Sequence, residues 1–245
     1  MKTRIVSFVI PTKNEEATIN GVISSVRVNV EHAGYILKEI IVVDDSEDST
    51  RRLASEAGAI VVAGESRGLG HAMLIGLKRS LQSAPDCVVS VDSDGQVDLG
   101  EIPRFINTLD TNGADLVLGS RFLNQHLIEY DYPAINRFGT RVLSWILRRA
   151  TGLNLTDSHG GIRAMRPQVI EKLKLLGHHT YVQETIIDAH ENGFKVMEIP
   201  SKWKKRDFGQ SRVVRSIPRY VLYTLPVIIL RCRPHLKFFV RRVET

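Results

Sequence analysis

The feature that most restricts this chain is a regular alternation of short β-branched runs with longer stretches of helical character. Ile5 to Ile10, Glu39 to Val43, Ala59 to Ala63, Cys87 to Val91 and Asp115 to Gly119 are short, rich in Val and Ile, and bounded by Gly, Pro or Asp, as buried strands are. Between them lie Ala17 to Val30, Thr50 to Ala57, Leu69 to Leu81 and Glu101 to Thr111, each long enough for a helix. This alternation predicts an α/β fold with a mostly parallel central sheet and helices on both faces.

The second half is less regular. A helix is expected over Asn136 to Ala150, a strand over Gly161 to Met165, a helix opening at Pro167, a helix over Thr180 to Glu191 and a strand over Lys195 to Ile199. With 245 residues and ordinary apolar and charged fractions, one domain with a C-terminal appendage suffices. Cys87 and Cys232 lie far apart, so a disulfide framework is not expected and a reducing compartment fits. The run Ile5 to Ile10 is followed too soon by Pro11 and polar residues for a signal peptide, so secretion is not expected.

Charge is uneven. The net charge is +6, and from Lys202 onward only Asp207 and Glu244 oppose a dense run of Lys and Arg, which would attract phosphate groups. Within that segment Tyr220 to Leu230 is apolar except for Thr224. As a helix it would cover only about 16 Å, roughly half the hydrocarbon thickness of a bilayer. Flanked by Arg215, Arg219, Arg231, Arg233, Lys237, Arg241 and Arg242, it suits a helix lying among lipid headgroups. A terminal helix packed on the core, with a solvated basic end, explains the same letters. The basic tail contains no nucleic-acid reading motif, and no nucleic-acid partner is expected.

In parallel sheets ligands sit beyond the carboxyl ends of the strands. Those positions here are Pro11 to Glu16, Asp44 to Asp48, Gly64 to Gly70, Asp92 to Gln96, and Ser120 with Arg121. In CVVSVDSDGQVD, an apolar strand runs straight into Asp92 and Asp94, whose carboxylates can turn toward one point. Such a pair repels unless a cation or a proton lies between them. Mg²⁺ takes one or two carboxylates and fills its other positions with water and phosphate oxygens, so the pair reads as a bridge to a nucleotide diphosphate, with Gln96 adding a neutral oxygen. An Asp-Gly surface turn accounts for the same letters.

Two further strand ends carry similar chemistry. In IIVVDDSEDST, Asp44 or Asp45 could accept hydrogen bonds from a ribose or base, while Asp48, Ser49 and Thr50 are suited to cap the next helix. In IPTKNEE, Asn14, Glu15 and the backbone at the helix start could meet a nucleotide, or could serve only to start the helix.

These three segments, in this order, resemble glycosyltransferase family 2, whose catalytic domain has the Rossmann-like GT-A fold. DLVLGSRF (115–122), DSHGGIRAM (157–165) and the stretch from Glu198 to Arg212 ending in RDFGQSR are similar to segments of its dolichol-phosphate or polyprenyl-phosphate mannose and glucose synthases. The resemblance implies a GT-A catalytic domain over residues 1–212 and a basic, amphipathic, membrane-associating tail over 213–245. It implies that Pro11, Lys13, Glu15, Val43 and Asp45 contact the nucleoside, and that Asp92, Ser93 and Asp94 meet the donor. Asp92, Asp94 and Gln96 would surround a divalent cation, Mg²⁺ or Mn²⁺. Arg121 and Arg137 would face the acceptor phosphate, and Arg206 and Arg212 the donor diphosphate.

The sequence departs from that group at several places. Lys13 stands where Tyr is common, Arg212 replaces a Lys, the Asp-Asp segment is one residue short, and the usual Ser-Gly-Phe is replaced around His159, Gly160, Gly161 and Ile162. An acceptor already ionised has little need of His159 as a base.

The expected reaction is an inverting transfer of a hexose, foremost mannose from GDP-mannose, to dolichyl or polyprenyl phosphate. The expected setting is the cytoplasmic face of a membrane, held peripherally, with a membrane partner subunit a further expectation. Alternatives are a family 2 enzyme using a UDP-sugar and a glycan hydroxyl, or a non-catalytic nucleotide-sugar-binding membrane module.

Overall fold

The structure, a computed structural model, describes residues 3–130, 132–177, 180–206 and 224–232. Its elements in chain order are β1 (Ile5–Thr12), α1 (Ile19–His32), β2 (Ile36–Asp44), α2 (Thr50–Glu56), β3 (Ile60–Ala63), α3 (Leu69–Ser80), β4 (Cys87–Val91), α4 (Ile102–Thr111), β5 (Leu116–Ser120), α5 (Ala134–Thr151), β6 (Ile162–Met165), α6 (Pro167–Glu171), α7 (Tyr181–Glu191) and β7 (Val196–Pro200). A further helical stretch lies at 224–232.

The seven strands form one sheet in the order β3-β2-β1-β4-β6-β5-β7. Its central strands are apolar on both faces because both faces are covered. Along β1, Val6, Phe8 and Ile10 join one core and Val9 joins the other. Likewise Ile40 and Val42 of β2 face the first core, and Ile41 and Val43 the second. The first core also contains side chains of α1 and α4, and the second those of α3, α5 and α7. Each such fully buried Val or Ile contributes about 1.5–3 kcal/mol. At Gly76 of α3 an added Cβ would lie 2.5 Å from Val9 and 2.6 Å from Val43, so the glycine lets this helix sit directly on the sheet.

β1, β2, β3 and β4 pair in parallel, and β5 with β7. β6 is antiparallel to both β4 and β5. Periodicity signals a strand but carries no direction, so the sequence did not reveal this reversal. Its consequence is functional: β6 starts where β4 ends, which brings residues 156–161 to the carboxyl end of the sheet.

Both cysteines are free and buried. In the helix at 224–232, Thr224, Ile228 and Cys232 are buried, whereas Ile229 and Leu230 are exposed. Arg231 pairs with Asp188 and, at 3.1 Å, with Glu191 of α7. One face of the described part of the apolar run, from Thr224, is therefore packed on the core. The rest of that run and of the tail, including Arg212, lies outside the described residues.

Candidate active site

The chain steps outward from β1 through β2 to β3 and then returns to the other side of β1 as β4, leaving a crevice at the carboxyl ends of β1 and β4. Asp92 follows β4 directly, and its backbone N–H donates to the carbonyl of Gly161 at 3.1 Å. The loop turns at Gly95, with φ +73°, and the Gln96 N–H donates to Asp94 Oδ1 at 3.0 Å. Ser93 is buried; its carbonyl accepts from Thr18 Oγ1 at 2.7 Å, which ties this loop to the start of α1.

Burial, and then the negative charge of Asp94, push the Asp92 carboxyl up to about 7, against the opposing charges of Arg163, Arg121 and Arg206. A carboxyl raised by burial and by its neighbour in spite of three arginines is one that a hard divalent cation between Asp92 and Asp94 could return to its charged form. Asp92 and Asp94 could hold such an ion, while the Gln96 amide nitrogen donates to Lys204 O at 3.3 Å.

Residues 201–206 form a strap across this loop. Asp98 N donates to Lys202 O at 3.1 Å and Lys204 N to Gln96 O at 2.7 Å, with an antiparallel bridge between Val97 and Trp203. The pairing delivers Arg206 to the site, where Nη2 lies 2.6 Å from Asp94 Oδ2 and 4.0 Å from Glu15 Oε1.

On the other side of Asp92 stands Arg121, at the end of β5. It is buried, and its fork meets Asp157 at 2.7 and 2.8 Å. Its guanidinium lies 4.8 Å from the Tyr132 ring centre and 4.7 Å from that of Trp203. Although burial opposes it, Arg121 holds the Asp157 carboxyl below the usual range. Glu198 of β7 anchors the same loop, accepting from the Thr156 and Asp157 N–H groups at 2.7 and 2.9 Å. His159 Nε2 is 2.9 Å from Gln183 Nε2 and its Nδ1 is 3.0 Å from Ser158 Oγ; burial pushes its pKa down to about 4, so the ring is neutral. Arg137 projects from α5, and its Nε is buried without a hydrogen-bond partner among the described residues.

The loops after β1 and β2 are laced together. Asn14 N donates to Ser46 Oγ at 2.7 Å, Glu47 N to Asn14 Oδ1 at 2.9 Å, and Glu15 N to Thr50 Oγ1 at 2.8 Å. Asp44 is fully buried and accepts from Thr12 Oγ1 at 2.7 Å, so of the two adjacent aspartates it is the structural one. Asp45 packs against Gly64, where a Cβ would lie 2.6 Å from its carboxylate, and accepts from Ser66 N at 2.8 Å. Pro11 pairs in register with Val43 at the strand ends, and Lys13 is exposed beyond them. The Val43 side chain points into the core under α3 and is not brought to the crevice.

Several contributors were not singled out from sequence. An added Cβ at Gly161 would lie 2.2 Å from Asp92 Oδ2 and 2.9 Å from Trp203, so the glycine is what lets the carboxylate sit there. Trp203 and Tyr132 enclose Arg121, and Arg163, fully buried, donates to Val182 O at 3.0 Å beneath Asp92. A buried Arg in a four-residue apolar strand was the one available signal among these.

The family description "Glycosyl transferase family 2" matches residues 7–174. A polyprenol monophosphomannose synthase of Mycolicibacterium smegmatis is 28% identical over 226 residues, covering 88% of this chain and 83% of that protein. A UDP-N-acetylglucosamine–dolichyl-phosphate N-acetylglucosaminyltransferase of Methanococcus voltae is 27% identical over 235 residues, covering 86% and 90%. Glucosyl-3-phosphoglycerate synthase from Mycobacterium tuberculosis, crystallised with Mn²⁺, UDP and phosphoglyceric acid, superposes with a TM-score of 0.70 at 23% identity, covering 94% of this chain and 78% of that one; this likeness is one of fold alone. With a GT-A sheet, an Asp-x-Asp strand end at its switch point and a family match over most of its length, the chain belongs to glycosyl transferase family 2.

Proposed function

We propose that the protein transfers a hexose, foremost mannose from GDP-mannose, to dolichyl or polyprenyl phosphate with inversion at the anomeric carbon. The observation that carries this reading is how the carboxylates around the crevice are used. Asp157 is held by Arg121, and Glu198 by the backbone of Thr156 and Asp157. Asp94 is paired with Arg206, and Asp92 faces Asp94. A hydroxyl acceptor needs a base to take its proton, whereas a phosphate monoester arrives ionised and needs cations instead.

In this reading Asp92, Asp94 and Gln96 hold a divalent cation. That ion would neutralise the diphosphate as it leaves. Arg206, and Arg212 with it, adds positive charge on the leaving-group side. Arg137 would meet the acceptor phosphate through the outer nitrogens of its guanidinium, since its Nε is buried. Arg121, its fork committed to Asp157, contributes buried charge to the same side rather than a bidentate grip. Pro11, Lys13, Glu15 and Asp45 line the nucleoside side, Val43 adding backbone only. Catalysis rests on positioning and charge stabilisation.

No helix of the described residues is long and apolar enough to cross a membrane. A lipid acceptor then calls for peripheral attachment, which we assign to the cytoplasmic face, with the basic tail contributing and a membrane subunit as a further partner. The names of the two relatives, one for mannose and one for N-acetylglucosamine, support the lipid phosphate more than any one sugar. The test is a panel of radiolabelled GDP- and UDP-sugars with purified protein, Mg²⁺ or Mn²⁺, an EDTA control and a polyprenyl phosphate. Metal-dependent label in the organic phase is expected. Nucleotide binding with no lipid product from any donor would remove the reading.

A further inference from the structure

The turn that follows β3 is bent in a way that side chains resist. Glu65 and Ser66 stand in succession at φ +61° and +52°, and Gly68 follows at +99°. A non-glycine residue in the left-handed region is uncommon, and two in succession cost conformational energy that a looser loop would avoid. Asn14, at φ +51°, lies in the loop after β1. Three of the four such non-glycine residues among the described residues therefore sit in the loops after β1 and β3, the strands on either side of β2. Backbone strain gathered at one place points to something that place must hold.

What the turn holds is Asp45. The parallel ladder between β2 and β3 ends at the pair Asp44 and Ala63, so Asp45 and Gly64 come next, side by side. Asp45 N donates to Thr12 O at 3.0 Å on the β1 side, and Gly64 N donates to Asp44 O at 3.2 Å on the β3 side. The Asp45 carboxylate lies against Gly64, where a Cβ would come 2.6 Å from Oδ2 and 2.7 Å from Oδ1 and Cγ. The left-handed pair then turns the Ser66 N–H back onto Oδ1 at 2.8 Å. Glu65 closes the turn outward, its Oε2 2.8 Å from Nε2 of His71 in the first turn of α3. One oxygen of Asp45 is thus fixed by main chain, and the room for its carboxylate exists because residue 64 has no side chain.

We infer that Gly64 and Ser66 are positioning residues for the donor: the strained turn holds the Asp45 carboxylate so that Oδ2 accepts from a hydroxyl or N–H of a nucleoside diphosphate. The inference rests on Asp45 as a nucleoside contact in the proposed function, and it deepens that reading. The left-handed conformation at 65 and 66 is what aims the N–H, so the backbone of residue 66 matters and its exposed side chain does not.

The test titrates the full chain with GDP and UDP in the presence of Mg²⁺ by calorimetry, without any acceptor. Asp45→Ala should lower the affinity for the nucleotide that the parent binds. Gly64→Ala, which displaces the carboxylate, should lower it about tenfold or more, the scale of one hydrogen bond to a charged group. In an Asp45→Ala background the same glycine change should alter affinity less than about twofold, a coupling that general damage to the fold would not produce. Ser66→Val, whose branched side chain resists the left-handed region, should weaken binding as Gly64→Ala does, whereas Ser66→Gly should bind as the parent does. In the transfer assay Gly64→Ala should raise KM for the sugar nucleotide with kcat kept. A penalty that disappears with the 2′,3′-dideoxy nucleotide places the contact at the ribose, and one that persists places it at the base; both uphold the inference. Additive losses in the double variant, or Ser66→Val binding like the parent, would overturn it while leaving Asp45 as a contact. Unchanged affinity in Asp45→Ala, or a parent that binds neither nucleotide, would remove the assignment of Asp45 and the inference with it. Nucleotide binding that behaves as described, with no lipid product, would leave the turn's role standing and remove the proposed acceptor.

Discussion

At the scale of single residues, the site depends on where two carboxylates end and what lies under them. Asp94→Ala should lower kcat by about 10²-fold or more, the cost typical of losing one electrostatic partner of a transition state, while the thermal midpoint stays within a few degrees. Gly161→Ala places a Cβ where only 2.2 Å separates it from Asp92 Oδ2, so the carboxylate must move. A displacement near 1 Å costs on the order of 10²-fold in rate, and steady-state kinetics should show that loss with nucleotide binding largely kept. Asp92 and Asp94 could be read from the sequence because an apolar strand ends on them. Asp45 rather than Asp44 followed from the family resemblance and not from the strand pattern, and the inward turn of the Val43 side chain followed from neither. At the end of a strand covered on both faces, a one-residue change of parity decides whether a side chain meets the core or the crevice.

At the scale of elements, the loop at 156–161 is held by a buried ion pair and a neutral imidazole. Asp157→Ala leaves Arg121 buried without its partner, and chemical denaturation should show a loss of about 3–5 kcal/mol. His159 titrates near 4 in the fold against 6.5 in an unfolded chain, so between those values the unfolded state binds the extra proton. Stability should therefore be complete above pH 6.5 and fall as pH drops from 6.5 toward 4, by on the order of 2–3 kcal/mol. His159→Asn should flatten that slope in urea titrations between those pH values. The strands and helices themselves were legible from β-branched runs and Gly or Pro boundaries, to within about three residues. The direction of β6 was not, nor was the strap at 201–206, which has no periodicity to detect and is fixed by main-chain pairing with 96–98. Nor could α5's orientation be read, because a mixed apolar and basic helix leaves open which face is buried.

At the scale of the whole molecule, the crevice is a set of cations arranged around one carboxylate pair. Arg206 reaches it on the strap, Arg121 stands buried behind Asp157, and Arg137 comes from the helix whose apolar face is turned outward. In the proposed reaction those cations would serve two anions, a departing diphosphate and an attacking phosphate, and among the described residues Asp94, Asp157 and Glu198 are each already paired. The most direct measurement compares polyprenyl phosphate with the free polyprenol of the same chain length, in detergent, with one radiolabelled sugar nucleotide and Mg²⁺. Transfer to the phosphate alone, lost on adding EDTA, is the result this account predicts. Transfer to the free polyprenol, or to neither while a soluble sugar hydroxyl accepts the label, would contradict it.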